Sequence, residues 1–311
     1  MPRRYSPAEN PRRGARRPEL ILAVALALAG CHTGNEEAKQ LRDACAAGTT
    51  AACNDFGQRL LTGRYLLRDE AGAARAFETA CTGGVGAGCA SLGVIYQTGR
   101  EVKRDSARAS ALFRQACDGG AMEGCTHLGL LHRAGAGVAR DVGLAAGLFR
   151  QACDGGHLVG CANLGVLHLA GEGVPSDSSA AAPLFRRACD AKESLGCVGL
   201  GRLHASGNGV EKNDSLAFAL FKGACDGRDA AGCFELAVLH ELGQGTPQNY
   251  FEAAQLYERA CENRHAEACY NLAGLYQRGA GVFRQPGQAM VFTRRACDLG
   301  HAPACPKIKG T

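Results

Sequence analysis

Cysteine is the residue type whose spacing points most clearly to chemistry in this chain of 311 residues. Sixteen of the seventeen cysteines form pairs whose members lie eight positions apart, and the pairs recur every 36 residues. Paired cysteines kept at one spacing are typical of disulfides, which persist in oxidising compartments. We therefore expect an exported chain. The pairs are Cys45/Cys53, Cys81/Cys89, Cys117/Cys125, Cys153/Cys161, Cys189/Cys197, Cys225/Cys233, Cys261/Cys269 and Cys297/Cys305.

Two pairings of these cysteines suit a helical hairpin. A pairing 28 residues apart, such as Cys53 with Cys81, would leave Cys45 and Cys305 without partners. The pairing eight residues apart uses all sixteen and places each bridge across a short turn between two helices. We therefore favour eight local disulfides. A zinc site is not expected, because no Cys-x2-Cys occurs.

Histidine recurs seven positions after the second cysteine of four pairs. Equivalent positions in stacked repeats are separated by on the order of 10 Å, the distance between packed helices. The ligands of one metal ion must all lie within about 2 Å of it. We therefore expect neither a metal nor a cofactor at this column. Its histidines are His132, His168, His204 and His240.

The residues between the cysteines predict two helices in each repeat, and a fixed period of this length is typical of stacked repeat proteins. In the repeat that runs from Cys125 to Cys153, Gly135 is expected to end the first helix at positive φ. Asp141 is expected to cap the second helix. Phe149 and the alanine before the cysteine form the face that should meet the neighbouring repeat. The fold class predicted is all-α, with hairpins stacked into a solenoid.

The recurring columns read Leu-Gly-x-Leu-His/Tyr-x-x-Gly-x-Gly-Val-x-x-Asp, followed by Ala-x-x-x-Phe-x-x-Ala. They resemble the Sel-one-like repeat, and the added Cys-x7-Cys resembles its cysteine-rich secreted bacterial branch, which is called Hcp-like. The resemblance covers residues 36–305 and implies a right-handed, TPR-like α/α solenoid of about seven disulfide-stapled 36-residue hairpins. It also implies that the protein acts as an adaptor that binds other proteins. In this family the histidine column usually holds tyrosine. The resemblance therefore implies that these histidines are half-buried and replace an aromatic ring.

Some members of the cysteine-rich branch are described as penicillin-binding proteins or weak β-lactamases. The resemblance therefore implies an alternative function, the binding or slow hydrolysis of a β-lactam or a peptidoglycan fragment. Serine enzymes of that class use Ser-x-x-Lys, Ser-Asp-Asn and Lys-Thr-Gly. The chain contains none of the three, and Ser176-Asp177-Ser178 only approaches the second. We therefore expect no catalytic residues. A structural spacer without a discrete partner is a third interpretation.

The start of the chain is typical of an export signal. Residues 1–30 combine six arginines with a short apolar run, which is too short to span a bilayer. Leu28-Ala29-Gly30-Cys31 resembles the lipobox of bacterial lipoproteins, which implies cleavage before Cys31 and a lipid on its sulfur. We expect a tether over residues 31–35, a solenoid over 36–305 and a tail over 306–311. The expected location is the cell envelope, in the periplasm or at the outer membrane, with the membrane contacted through the lipid.

The charge of the chain argues against a nucleic-acid partner. The formal net charge is +5, and residues 1–30 contribute +4 of it through six Arg against Glu9 and Glu19. The rest of the chain is therefore close to neutral, so it has no excess of positive charge to attract a phosphate backbone. A protein partner remains the expectation.

Positions one and two after the second cysteine of each pair vary between repeats, and variation is typical of a partner surface. If the first helices line the concave wall of the solenoid, these side chains would face a groove. The C-terminal repeats carry the most adhesive residues. The predicted groove residues are His127, Asn163, Phe234, Glu235, Tyr270 and Asn271.

Overall fold

The computed structural model describes residues 34–306, and within this range it contains fifteen α-helices, one 3₁₀ turn and no strand. Helix α1 covers residues 34–46. Fourteen helices of thirteen residues follow, and the 3₁₀ turn Ala302–Ala304 comes last. They are α2 (Thr50–Thr62), α3 (Glu70–Thr82), α4 (Gly86–Thr98), α5 (Ser106–Asp118), α6 (Met122–Ala134), α7 (Val142–Asp154), α8 (Leu158–Ala170), α9 (Ser178–Asp190), α10 (Ser194–Ser206), α11 (Asp214–Asp226), α12 (Ala230–Leu242), α13 (Tyr250–Glu262), α14 (Ala266–Arg278) and α15 (Pro286–Asp298).

Each even-numbered helix packs against the next odd-numbered helix to form a hairpin, so seven hairpins run from α2–α3 to α14–α15. We call these the first and second helices of a hairpin. The second helix also packs against the first helix of the next hairpin. Successive first helices from α4 to α12 contact each other, whereas second helices make no comparable contact with each other in the described range. The first helices therefore lie on the inner side of the stack, and the predicted repeat solenoid is confirmed.

The predicted helix ends are present in the hairpins. Gly135 follows α6 with φ 68°, in the left-handed region that favours glycine. The side chain of Asp141 accepts a hydrogen bond from the backbone N–H of Leu144 at 2.8 Å and so caps α7. The last hairpin departs from this pattern, because Gln285 precedes α15 without a side-chain cap.

A phenylalanine on the second helix packs against a glycine on the first helix of the same hairpin. The Phe149 ring is fully buried, and a Cβ at Gly129 would lie 2.7 Å from it. The column also meets the neighbouring repeat, as predicted, because the Phe113 ring stacks on His127 of the next hairpin with centroids 4.8 Å apart, and a Cβ at Gly199 would lie 2.5 Å from the Phe185 ring of the preceding hairpin. The alanine before the cysteine meets the next hairpin too, since a Cβ at Gly124 would lie 2.5 Å from the Cβ of Ala116. The equivalent glycine–phenylalanine pairs are Gly57/Phe77, Gly93/Phe113, Gly165/Phe185 and Gly201/Phe221.

All eight disulfides join cysteines eight residues apart, with Cα–Cα distances between 4.4 and 4.9 Å. Cys153 lies near the end of α7 and Cys161 in the first turn of α8, so their bridge connects two hairpins. The first bridge ties α1 to α2, and the last ties α15 to the residue after the 3₁₀ turn. The disulfides therefore fasten each hairpin to the next. The bridges are Cys45–Cys53, Cys81–Cys89, Cys117–Cys125, Cys153–Cys161, Cys189–Cys197, Cys225–Cys233, Cys261–Cys269 and Cys297–Cys305.

The described range begins inside the predicted tether over 31–35, and residues 34 and 35 belong to the first turn of α1. The predicted signal segment, Cys31 and residues 307–311 of the tail lie outside the described residues. Within residues 34–306, none of the helices is long and apolar enough to cross a membrane.

Candidate functional site

A cavity of about 700 Å³ opens between the last two hairpins. Its walls come from α12, α13, α14 and α15. Apolar side chains such as Val238, Leu242 and Met290 form much of the lining, together with a smaller set of polar groups. A volume of roughly 300–1,000 Å³ with this mixture is typical of a ligand pocket.

Two departures from the repeat columns create this cavity. Thr293 occupies the position at which five earlier hairpins carry a buried phenylalanine, and its hydroxyl donates to the carbonyl of Ala289 at 2.8 Å within α15. Gly274 occupies the column of Val238, and a Cβ there would meet only the Arg278 side chain, at 3.4 Å. A missing ring and a missing side chain thus leave the space open. In the other hairpins the position equivalent to Gly274 holds a larger side chain: Gln58, Val94, Leu130, Val166 or Arg202.

Four polar side chains of the cavity form one hydrogen-bonded network. The Tyr257 hydroxyl donates to Oε2 of Glu241 at 2.8 Å and accepts from Nδ2 of Asn271 at 3.3 Å. Nη2 of Arg278 lies 3.1 Å from Oε1 of the same carboxylate. Burial raises the pKa of Tyr257, and the adjacent Glu241 carboxylate raises it further, so the phenol remains a neutral donor.

The predicted groove residues divide into those at the cavity and those elsewhere. Tyr270 and Asn271 line the cavity, and the Tyr270 ring lies 4.7 Å from the ring of His301. Glu235 forms an ion pair of 2.6 Å with Arg202 on the preceding first helix. A role in partner binding stays a prediction for these residues.

His127 lies on α6, in an earlier hairpin than the cavity, and is occupied by local contacts. Its ring stacks on Phe113 with centroids 4.8 Å apart, and Nε2 lies 3.7 Å from the Glu123 carboxylate. The hydrogen bond from His127 lowers the pKa of Glu123. His127 therefore belongs to a different part of the stack from the cavity.

The structure corrects the prediction for Phe234 and Asn163, which are 7% and 6% exposed and offer a partner almost no surface. The Phe234 ring stacks on His265 at 4.5 Å, and His265 precedes the first helix of the next hairpin. Asn163 donates through Nδ2 to the carbonyl of Val159 at 2.8 Å within its own helix. Phe234, directly after Cys233, therefore packs against the next hairpin, whereas Asn163, two positions after Cys161, is bonded within its own helix.

The second cysteine of each pair contributes to the packing between hairpins, not to the cavity. These cysteines are disulfide-bonded, so they offer no thiol for catalysis or metal binding. Cys197 and Cys305 are half-buried, whereas the other six are buried. We therefore assign them a structural role. The six buried ones are Cys53, Cys89, Cys125, Cys161, Cys233 and Cys269.

The histidine column anchors loops. His132 and His204 are buried, and their Nδ1 atoms lie 3.2 and 3.0 Å from the carbonyl oxygens of Ala139 and Glu211, seven residues further on. Each imidazole can thus donate to the loop that connects the two helices of its hairpin. Across residues 34–306, no cluster of three or more His, Cys, Asp or Glu side chains is placed to hold a metal ion.

Sequence reasoning missed Glu241, Tyr257, Gly274, Arg278 and Thr293 as members of one site. The available signal was the break in otherwise constant columns, since Tyr257 and Thr293 replace phenylalanine in successive hairpins. Recognising the site also required the knowledge that both breaks border the same space.

Comparisons with known proteins identify the repeat. A family model described as the Sel1 repeat matches residues 86–120, 123–157, 158–192, 194–229, 230–265 and 266–301. A comparison with curated protein sequences gives no match.

Solved structures with the same fold include a Sel1 repeat protein from Oxalobacter formigenes, with 20% identity over 78% of this chain and 96% of that one, and a TM-score of 0.67. A protective antigen of uropathogenic Escherichia coli that displays an SLR fold is 24% identical over 87% of this chain, with a TM-score of 0.63. This chain spans 58% of the length of that antigen. Cysteine-rich protein B from Helicobacter pylori is 28% identical over 40% of this chain and 89% of that one, with a TM-score of 0.34.

Proposed function

Because the chain belongs to the Sel1 repeat family, we propose that it is a cell-envelope lipoprotein that binds another protein through the inner side of its solenoid. Solenoids of this family are typical scaffolds for protein–protein interaction and are generally not enzymes. The observation that carries the proposal is the contrast between the buried constant positions of the repeat and the open surface of the last two hairpins. Most of the constant leucine, alanine, phenylalanine and second-cysteine positions are buried in packing, while the last two hairpins leave an open cavity beside first helices α12 and α14.

The eight disulfides support an oxidising compartment and therefore export. Cys31 is the one cysteine outside the pairs, and a free thiol beside eight disulfides would promote exchange. A lipid on its sulfur removes that thiol and fixes the protein to the envelope. Labelled fatty acid should enter the wild-type protein in growing cells and should be absent from a Cys31→Ala variant. Label on that variant would contradict the anchor.

Site-specific photocrosslinking tests the partner. Gln277 is exposed at the cavity, and Arg150 is exposed on the second helix α7, which lies outside the inner wall. A photoreactive residue at Gln277 should give a discrete crosslinked protein in intact envelopes, whereas the matched variant at Arg150 should not. Equal crosslinking at both positions, or none at Gln277, would contradict binding at this side.

A turnover assay separates the scaffold from the hydrolase alternative. The oxidised protein is mixed with a chromogenic β-lactam before and after unfolding in denaturant. We expect no turnover in either sample. Reproducible turnover that disappears on unfolding would assign hydrolase activity to the fold and overturn the purely scaffolding function.

A further inference from the structure

We propose that the cavity between the last two hairpins receives an uncharged aromatic side chain from a peptide segment of the partner. The inference rests on the proposed function and names the chemistry by which the partner is recognised. Three properties of the site lead to it: the shape of the missing volume, the balance of charge inside the cavity, and the groups at its rim.

The shape of the cavity follows from the absence of the phenylalanine ring that five other hairpins carry at the position of Thr293. In the hairpin α6–α7 the Phe149 ring fills the space beside its first helix and is fully buried. Thr293 occupies the same position in α15 and is too short to fill the corresponding space. The absence of a side chain at Gly274 extends the same space along α14. An aromatic ring from outside can therefore enter this space, shifted away from α14 relative to the Phe149 ring because the Cβ of Ala273 replaces the glycine that faces Phe149.

The charges of the cavity favour a neutral occupant. Both oxygens of the Glu241 carboxylate are engaged, one by the Tyr257 hydroxyl and the other by the Arg278 guanidinium. The single negative charge is thus paired with a single positive charge 3.1 Å away. An additional charged group would lose water without gaining an opposite charge, which is costly in a partly desolvated site.

The rim offers contacts that suit a ring on a peptide backbone. The Arg278 side chain is 58% exposed while it holds Glu241, so part of its guanidinium remains open to a partner. Elsewhere in this protein the Arg108 guanidinium lies 4.3 Å from the centre of the Tyr96 ring, the geometry that Arg278 could adopt over an incoming ring. The carboxamides of Asn271 and Gln277 also line the cavity and can bond with peptide groups. Buried aromatic anchors of this kind commonly dominate binding energy.

Selection from a displayed library of linear peptides tests the proposal on the full oxidised chain. Two variants fill the cavity by independent routes: Ala273→Gly with Thr293→Phe restores the ordinary glycine–phenylalanine pair, and Gly274→Val copies its column neighbour. Thr293→Val is the matched control, because it keeps the cavity volume nearly unchanged. The thermal midpoint of each variant confirms that it is folded.

We expect peptides with Phe, Tyr or Trp at one fixed position to be enriched on the wild type and on Thr293→Val. Their affinity should fall about tenfold or more on either filled variant. Enriched peptides that lack an aromatic residue, carry a charge at the fixed position, or bind the filled variants equally would overturn the aromatic assignment and leave protein binding intact. If no peptide is enriched, the assignment fails. Loss of the Gln277 crosslink as well would then remove the proposed function itself.

Discussion

Gly129 and Phe149 are matched in size across the two helices of one hairpin. The ring of Phe149 occupies the space that any side chain at Gly129 would need, with only 2.7 Å between the ring and an added Cβ. The glycine of this column is therefore retained for close packing inside a helix, where glycine is otherwise unfavourable by about 1 kcal/mol relative to alanine.

Gly129→Ala should destabilise the protein in spite of the better helix propensity of alanine. Overpacking costs about 1–3 kcal/mol, and a contact of 2.7 Å with a fully buried ring places the cost in the upper part of this range, above the gain of about 1 kcal/mol from propensity. Gly147→Ala is the matched control, since Gly147 lies in α7 with nothing within 4 Å of an added Cβ. We expect a lower urea midpoint for the first variant and an equal or higher midpoint for the second. The reverse order would show that the ring moves aside at little cost.

Thr293→Phe and Ala273→Gly should be coupled in stability. The ring introduced by the first change would meet the Cβ of Ala273, which stands where five other hairpins have glycine. Thr293→Phe alone should therefore lower the unfolding free energy, and adding Ala273→Gly should recover it. We expect a coupling energy of about 1 kcal/mol or more in a double-mutant cycle. Strict additivity of the two changes would contradict the inferred contact.

Tyr257→Phe should reduce stability at neutral pH, because Oε2 of Glu241 and Nδ2 of Asn271 lose their shared partner. The expected loss is about 1–3 kcal/mol. The phenol also gives a pH signature, since its pKa is raised in the folded state. The unfolded chain releases this proton above about pH 10 while the folded chain retains it, so wild-type stability falls there. Thermal midpoints measured from pH 8 to pH 11 should therefore show a gap between wild type and variant that narrows above about pH 10. A gap of constant size would contradict the raised pKa.

Replacing Cys153 and Cys161 by alanine should weaken the junction between α7 and α8. A bridge that closes a loop of about nine residues contributes roughly 2–3 kcal/mol in the chain-entropy description. We expect a lower urea midpoint for this variant, and a similar decrease for the equivalent change at Cys117 and Cys125. Peptide mapping of the non-reduced wild type should recover only pairs eight residues apart. A fragment that links cysteines 28 residues apart would disprove the pairing.

The sequence was sufficient for the hairpin architecture because its signals are local. A glycine at a helix end, an aspartate at a helix start and a short cysteine spacing each restrict a few adjacent residues, and all are found where they were expected. The partner surface depends on which residues of different hairpins meet. Phe234 resembled an exposed adhesive residue, but stacking places it against His265. The cavity depends on what is absent at Gly274 and Thr293, and an absence becomes visible only when the surrounding helices are in place.

The placement of the disulfides has a mechanical consequence. Six of the eight bridges lie at the junction of two hairpins, and none crosses the interior of a hairpin, so under tension along the solenoid each hairpin could extend only as far as the next disulfide. The chain between Cys125 and Cys153 could lengthen across its 28-residue separation, to roughly 95 Å when fully extended, before the next bridge carried the load. Under force the protein would lengthen in equal steps, and each released hairpin would stay tied to neighbours that could guide its return.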